Sequence, residues 1–157
     1  MADTLEPAEI LSAAARLAET QLGGSLATMH AEDGTPYVTF VLFHLLPDGH
    51  VLFGSGDSPQ HSRNIDATPE VSFLIDNRDA VSSDWDSFDR VVIEGHAEKI
   101  ANDDPRYAGF IAAMRAKNER AAMFTERAQM YRIVPRRLVM RRGLQPDRLV
   151  VEFPYGG

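Results

Sequence analysis

Three β-type runs crowd into the first third of the chain with only tight turns between them, and that crowding limits the folds open to it. The runs cover residues 25–31, 37–46 and 51–54. Glu32-Asp33-Gly34-Thr35 separates the first two and carries an Asp-Gly hairpin signal; Pro47-Asp48-Gly49 turns the chain again before the third. Parallel pairing needs a crossover of roughly a dozen residues or more, which these connections cannot supply. The economical topology is therefore an antiparallel meander.

The flanking segments fit around that meander. Residues 6–22 read as a helix: Ile10, Leu11, Ala14, Leu17, Ala18 and Leu22 form one apolar stripe. Thr4 is the expected cap, Pro7 suits the first turn, and Gly23-Gly24 is the expected stop. A fourth strand is predicted over 71–76. Residues 77–89 form a polar, acidic loop in which Trp85 and Phe88 are expected anchors. A fifth strand spans 90–100, with Gly95 as a bulge or close-packing point. Asn102 or Asp103 then opens a helix with Pro105 in its first turn and Tyr107, Phe110, Ile111 and Met114 as its stripe, continuing through Met123-Phe124. Residues 129–141 return to strand, with Pro135 marking an edge or bulge, and 149–153 form a last strand. No βαβ alternation is present. The expectation is a mainly β (α+β) antiparallel barrel with flanking helices, in one domain over residues 1–157.

Composition removes several function classes. The net charge is -7, which argues against duplex nucleic acid as a partner. There is no cysteine, so thiolate chemistry and disulfides are excluded. No apolar run approaches the ~18 residues of a membrane-spanning helix. The first six residues are acidic and lack the basic region of a signal peptide, so a cytoplasmic location without membrane contact is expected. The five histidines, His30, His44, His50, His61 and His96, show no metal-ligand spacing. Ser55 lies in Gly54-Ser55-Gly56, which is not the nucleophile elbow. Asp84, Asp86 and Asp89 lack the glycine and closing glutamate of a calcium loop.

The stretch Gly54-Ser55-Gly56-Asp57-Ser58-Pro59-Gln60-His61-Ser62-Arg63-Asn64 is the chief candidate site. It follows the third strand, is rich in small and hydroxyl residues, and ends in a cluster of donors before a helical turn over 65–69. A strand, a permissive loop and a helix start carrying cations suit an anion. The alternative is an ordinary connector with Arg63 as a solvated charge. The pairs Arg136-Arg137 and Arg141-Arg142 read either as charges guarding a strand edge or as a rim for an anionic ligand or partner subunit.

Taken in order, these residues resemble the pyridoxamine 5′-phosphate oxidase-like family of FMN-binding split barrels, nearest the branch that includes haem-utilisation proteins. The resemblance rests on Gly24-Ser25-Leu26-Ala27-Thr28, Gly34-Thr35-Pro36-Tyr37-Val38-Thr39, Gln60 to Ile65 followed by Thr68-Pro69-Glu70-Val71-Ser72, Arg90 to Ala97, and Tyr131 to Arg137. It implies a six- to seven-stranded split barrel and a homodimer with FMN at its interface. By motif position it implies His61, Arg63 and Asn64 at the phosphate, with Gln60 and Ser62 supporting. Ser55 would lie near the ring or ribityl chain. The backbone of Val38, Thr39 and Phe40 would line the isoalloxazine, Arg90 would lie near the flavin, and Gly54 and Gly56 would let the backbone approach it. The sequence departs from the pyridoxamine oxidases themselves. Val38 and Phe43 stand where those enzymes carry Arg and Lys, and Gln60-His61 stands at their phosphate-loop Arg-Lys pair. The implied activity is that of an oxidoreductase on an unidentified small molecule, with no catalytic side chain named. The alternatives are a non-catalytic flavin or haem carrier, and a split barrel using a deazaflavin or no flavin.

Overall fold

A computed structural model describes residues 5–55, 59–81 and 83–154. Helix α1 (Pro7–Glu19) is followed by β1 (Gly23–Met29), β2 (Pro36–Leu45), β3 (Val51–Ser55), α2 (Pro59–Ala67), β4 (Glu70–Asp76) and β5 (Asp89–Ile100). Helices α3 (Tyr107–Lys117) and α4 (Glu119–Arg127) then precede β6 (Gln129–Arg142) and β7 (Leu149–Glu152). The strands run in the order β3-β2-β1-β4-β5-β6-β7, all antiparallel, and β3 also pairs with β6. That last pairing closes six strands into a barrel, with β7 as an extra strand beside β6. Closure removes two sheet edges that would otherwise stay unpaired.

Alternation decides what fills the barrel. Leu26, Val41, Phe43, Val51, Phe53, Phe73, Ile75, Val91, Ile93, Tyr131, Ile133 and Leu138 point inward and are buried. Helix α1 covers one mouth with Ile10, Ala13, Ala14 and Leu17. A second cluster lies outside the barrel wall, where α3 and α4 press Met114, Ala121 and Ala122 onto Leu52, Ile100 and Met130. Both faces of β3 are therefore covered, which is why Val51-Leu52-Phe53 is apolar without alternation.

Several expectations are corrected. Helix α1 stops at Glu19, and Gly23 and Gly24 open β1 instead of closing the helix. The reason is space: a Cβ on Gly23 would fall 2.1 Å from the Phe40 ring, and one on Gly24 would fall 2.7 Å from the Leu74 carbonyl oxygen. Glu6 is the N-cap, with Glu9 accepting its backbone N–H at 3.4 Å; Thr4 lies outside the described residues. Trp85 is 58% exposed and is no core anchor. The second helical stretch is broken at Asn118, whose side chain caps α4 by accepting the Ala121 N–H at 2.9 Å. The bulge or edge expected at Pro135 is present: Pro135 pairs with Gly95 at the register shift between Glu94 and Gly95, and among the described residues no strand pairs with it on its other side. Arg136 and Arg137 are paired with Glu70 and Glu94.

Candidate functional site

The pairing register leaves a gap in the barrel wall. Strand β2 pairs with β1 from Pro36 to Leu42, but with β3 only at Phe43, His44 and Leu45. Among the described residues, the first seven residues of β2 have no strand on the β3 side. Val38 and Phe40 stand out from the wall, 67% and 64% exposed, while Thr39 is half-buried.

Helix α2 lies across the mouth where β1 ends and β2 begins. It starts at Pro59, so Gln60 to Asn64 are helical and not part of an extended loop. Contacts of Asn64, Ser62 and Ile65 with the barrel fix its rotation. Asn64 is fully buried; its amide donates to Thr28 Oγ1 at 2.9 Å, and its Oδ1 accepts from the Ala31 N–H at 2.9 Å and from Gln60 Nε2 at 2.6 Å. Tyr131 donates its hydroxyl to Ser62 Oγ at 2.9 Å from beneath, its ring stacked on Phe53. Ile65 anchors the helix in the main core.

Two polar groups at this mouth are left unsatisfied. Ser55, the last residue of β3, is 3% exposed, and its Oγ has no hydrogen-bond partner among the described residues. His61 is 6% exposed and, among the described residues, neither ring nitrogen has a hydrogen-bond partner; its ring meets Tyr37 edge-on at 5.9 Å. Burial pushes the His61 imidazole below its usual pKa, toward the neutral form. Buried polar atoms without partners are few in folded proteins and each calls for an explanation.

The other candidates are already engaged. Arg63 directs Nε and Nη2 at Glu32 Oε1, at 3.2 and 3.0 Å, and donates to Gln60 Oε1 at 2.6 Å; Gln60 in turn donates to Glu32 Oε2 at 3.2 Å. Glu32 sits in the β1–β2 turn. Its own backbone N–H, then Gln60 and Arg63, hold its carboxyl below the usual pKa. Arg90 lies at the start of β5, half-buried, reaching the Phe88 and Gly143 carbonyls at 3.4 and 3.3 Å. Ten strand steps separate it from Ile100 at the α2 mouth, about 30 Å, so one protomer does not bring Arg90 together with Ser55 and His61. Gly54 is taken up by packing: a Cβ there would lie 2.4 Å from Thr125 Oγ1 of α4, not against a ligand. Gly56, Asp57 and Ser58 lie outside the described residues. Tyr37, Tyr131 and Glu32 were not among the expected site residues. Tyr131 stands in one of the motifs quoted above; Glu32 gives no sequence signal, since 31 residues separate it from Arg63.

An anionic cofactor fits this donor set in part. Ser55 and His61 offer unspent groups and Arg63 can be recruited from Glu32, whereas the Asn64 side chain is consumed by the fold. No metal cluster of three or more His, Asp or Glu occurs among the described residues, and no described helix is long and apolar enough to cross a membrane.

The fold has solved relatives. A haem-binding protein from Mycobacterium smegmatis is 25% identical with a TM-score of 0.71; the match covers 88% of this chain and 57% of that one. The haem storage protein HutZ from Vibrio cholerae is 17% identical with a TM-score of 0.66, over 79% and 88% of the two chains. An FAD-binding protein from Mesorhizobium loti is 18% identical with a TM-score of 0.65, over 88% and 95%. No curated protein sequence matches this one. Residues 11–142 match the pyridoxamine 5′-phosphate oxidase family, and with most of its length matched the chain belongs to that family.

Proposed function

We propose that this protein is a homodimeric, single-domain FMN-binding oxidoreductase acting on a small molecule. The observation that carries the reading is the pair of buried, unpartnered groups, Ser55 Oγ and His61, beside the open side of β2. His61, Ser55 and a recruited Arg63 would hold the phosphate and ribityl chain, with Gln60 and Ser62 at the edge of the same helix face. The backbone of Val38, Thr39 and Phe40 would border the ring. FMN, when bound, supplies the hydride and electron chemistry; the chain supplies orientation, an apolar wall and exclusion of water.

The homodimer is supported by two features. Val38, Phe40 and Met29 are exposed apolar residues on the outer face of β1 and β2, next to the small residues Ser25 and Ala27. Arg90 lies too far from His61 to act in the same protomer, so a second copy would present it. The experiment is FMN titration of the purified chain by flavin fluorescence. Binding should be saturable and should weaken at least about tenfold in Ser55→Ala/His61→Leu, the scale of one lost charge-assisted hydrogen bond. Unchanged affinity overturns the assignment.

A second reading, a flavin or haem carrier without turnover, is favoured by the residues standing at the family's Arg and Lys positions, Val38 and Phe43, and by the haem-binding and haem-storage proteins among the structural relatives. Anaerobic NADH or NADPH separates the two: bleaching of bound flavin supports the enzyme, and its absence with either donor, together with a Soret band on haem titration, supports the carrier.

A further inference from the structure

The outer face of β5 and β6 holds a groove of about 540 Å³ that the proposed flavin site does not use. Its floor is apolar: Val134 and Pro135 of β6, with Phe153 and Pro154 beyond β7. Two features of the sheet create it. The bulge at Glu94/Gly95 displaces β6 at Pro135. Strand β3 also pairs with β6 only up to Ile133, and β7 only from Arg137 onward, so among the described residues Val134 to Arg136 have no strand on that side. Phe153 is held over the gap by its N–H bond to the Arg136 carbonyl at 3.0 Å. Its ring lies against Gly49 (φ 91°), where a Cβ would come within 2.8 Å of it.

The polar rim is unevenly satisfied. Glu98 accepts from Arg132 Nε at 2.8 Å and pairs with its Nη2, and Asp48 lies 3.0 Å from His50 Nδ1. Glu98 therefore has a cationic partner, while Asp48 accepts the His50 backbone N–H at 3.1 Å and His50 Nδ1 makes no hydrogen bond among the described residues. Among the described residues Arg132 keeps its Nη1 donors, and the ring of His96, half-buried in the groove wall, makes no hydrogen bond. The volume lies within the range of small-molecule pockets, and an apolar floor with a few convergent donors is their usual make-up. The groove borders Val51, the end of β3 opposite Ser55, about 13 Å away along the strand.

We propose that this groove is a second ligand site, for a flat aromatic molecule carrying a carboxylate or sulfonate. The ring lies on Val134, Pro135 and Phe153, and the anionic group is received by His96 and Arg132. The test uses 1-anilinonaphthalene-8-sulfonate, an aromatic sulfonate, titrated into the full chain and followed by fluorescence. The expected result is saturable binding, one probe per chain, that added FMN does not displace. Val134→Glu, which puts a carboxylate on the floor, should weaken it at least about tenfold, and His96→Leu about three- to tenfold. FMN affinity should be the same in both variants, which also shows that they fold. The proposal is overturned if both variants bind the probe as wild type does, if binding never saturates, or if FMN expels the probe one for one. Loss of FMN binding in wild type with probe binding intact would strike only the flavin reading.

Discussion

Lys117→Met should change how the stability of this protein depends on pH. Lys117 ends α3 with its Nζ donating to the Phe43 carbonyl at 2.9 Å and lying 3.7 Å above the Phe43 ring. Strand β1 pairs with β2 only as far as Leu42, so that carbonyl lies one residue past the ladder and the lysine takes it. Among the described residues no carboxylate is within ion-pair distance, and Glu19 acts only from further away. Burial is the main cause that pushes the ammonium down from 10.5 to about 8. The sign follows from linkage. The folded pKa lies below the unfolded one, so between about 8 and 10.5 the unfolded chain binds more protons and stability rises with pH. Below that window the cost of the buried charge is constant. At about 1.4 kcal/mol per pKa unit the full gain is at most about 3 kcal/mol, less where solvent screens the amine. Urea unfolding of wild type and Lys117→Met from pH 7 to 10.5 measures it, because other titrations cancel in the difference. Wild type should gain up to about 3 kcal/mol on the variant across the window. A flat difference refutes the reasoning and means the ammonium is solvated.

Other outcomes follow from the same contacts. Asn64→Ala leaves the Thr28 hydroxyl and the Ala31 N–H without their partner and should cost about 2–4 kcal/mol in thermal or urea unfolding. Gly54→Val drives a side chain into Thr125 and should cost about 1–3 kcal/mol, partly restored by Thr125→Ala. His61→Phe removes a buried imidazole whose pKa is lowered; the wild-type rise in stability as pH climbs toward 6.5 should flatten in the variant. Mixing Ser55→Ala/His61→Leu chains with Arg90→Ala chains should restore FMN binding at about a quarter of the sites, since half the dimers are mixed and each has one intact site. No restoration refutes sharing of the site between protomers.

The barrel was legible because it rests on local signals. The Asp-Gly turns pointed to the meander, the β-type runs between them marked the strands, and Gly95 marked the bulge. Helix α2 was less so: Gln60 to Asn64 contain no apolar stripe of their own, and only contacts with Thr28 and Tyr131, far off in sequence, make the segment a docked helix. The same limit hid the Glu32–Arg63 pair, which exists only once the β1–β2 turn meets α2. Trp85 misled for a different reason: aromatic content predicts burial on average, but this ring meets only Phe88 edge-on and stays mostly in solvent. Arg90 was placed near the flavin by motif position, and motif position carries no information about which protomer of a dimer presents a residue.

The most direct check on a phosphate site at the head of α2 is a paired titration with FMN and riboflavin, which differ only in the phosphate. If His61 and Arg63 receive that group, FMN should bind at least about a hundredfold more tightly than riboflavin, the scale of two charge-assisted hydrogen bonds. Equal affinity for the two, or no uptake of either, would contradict it.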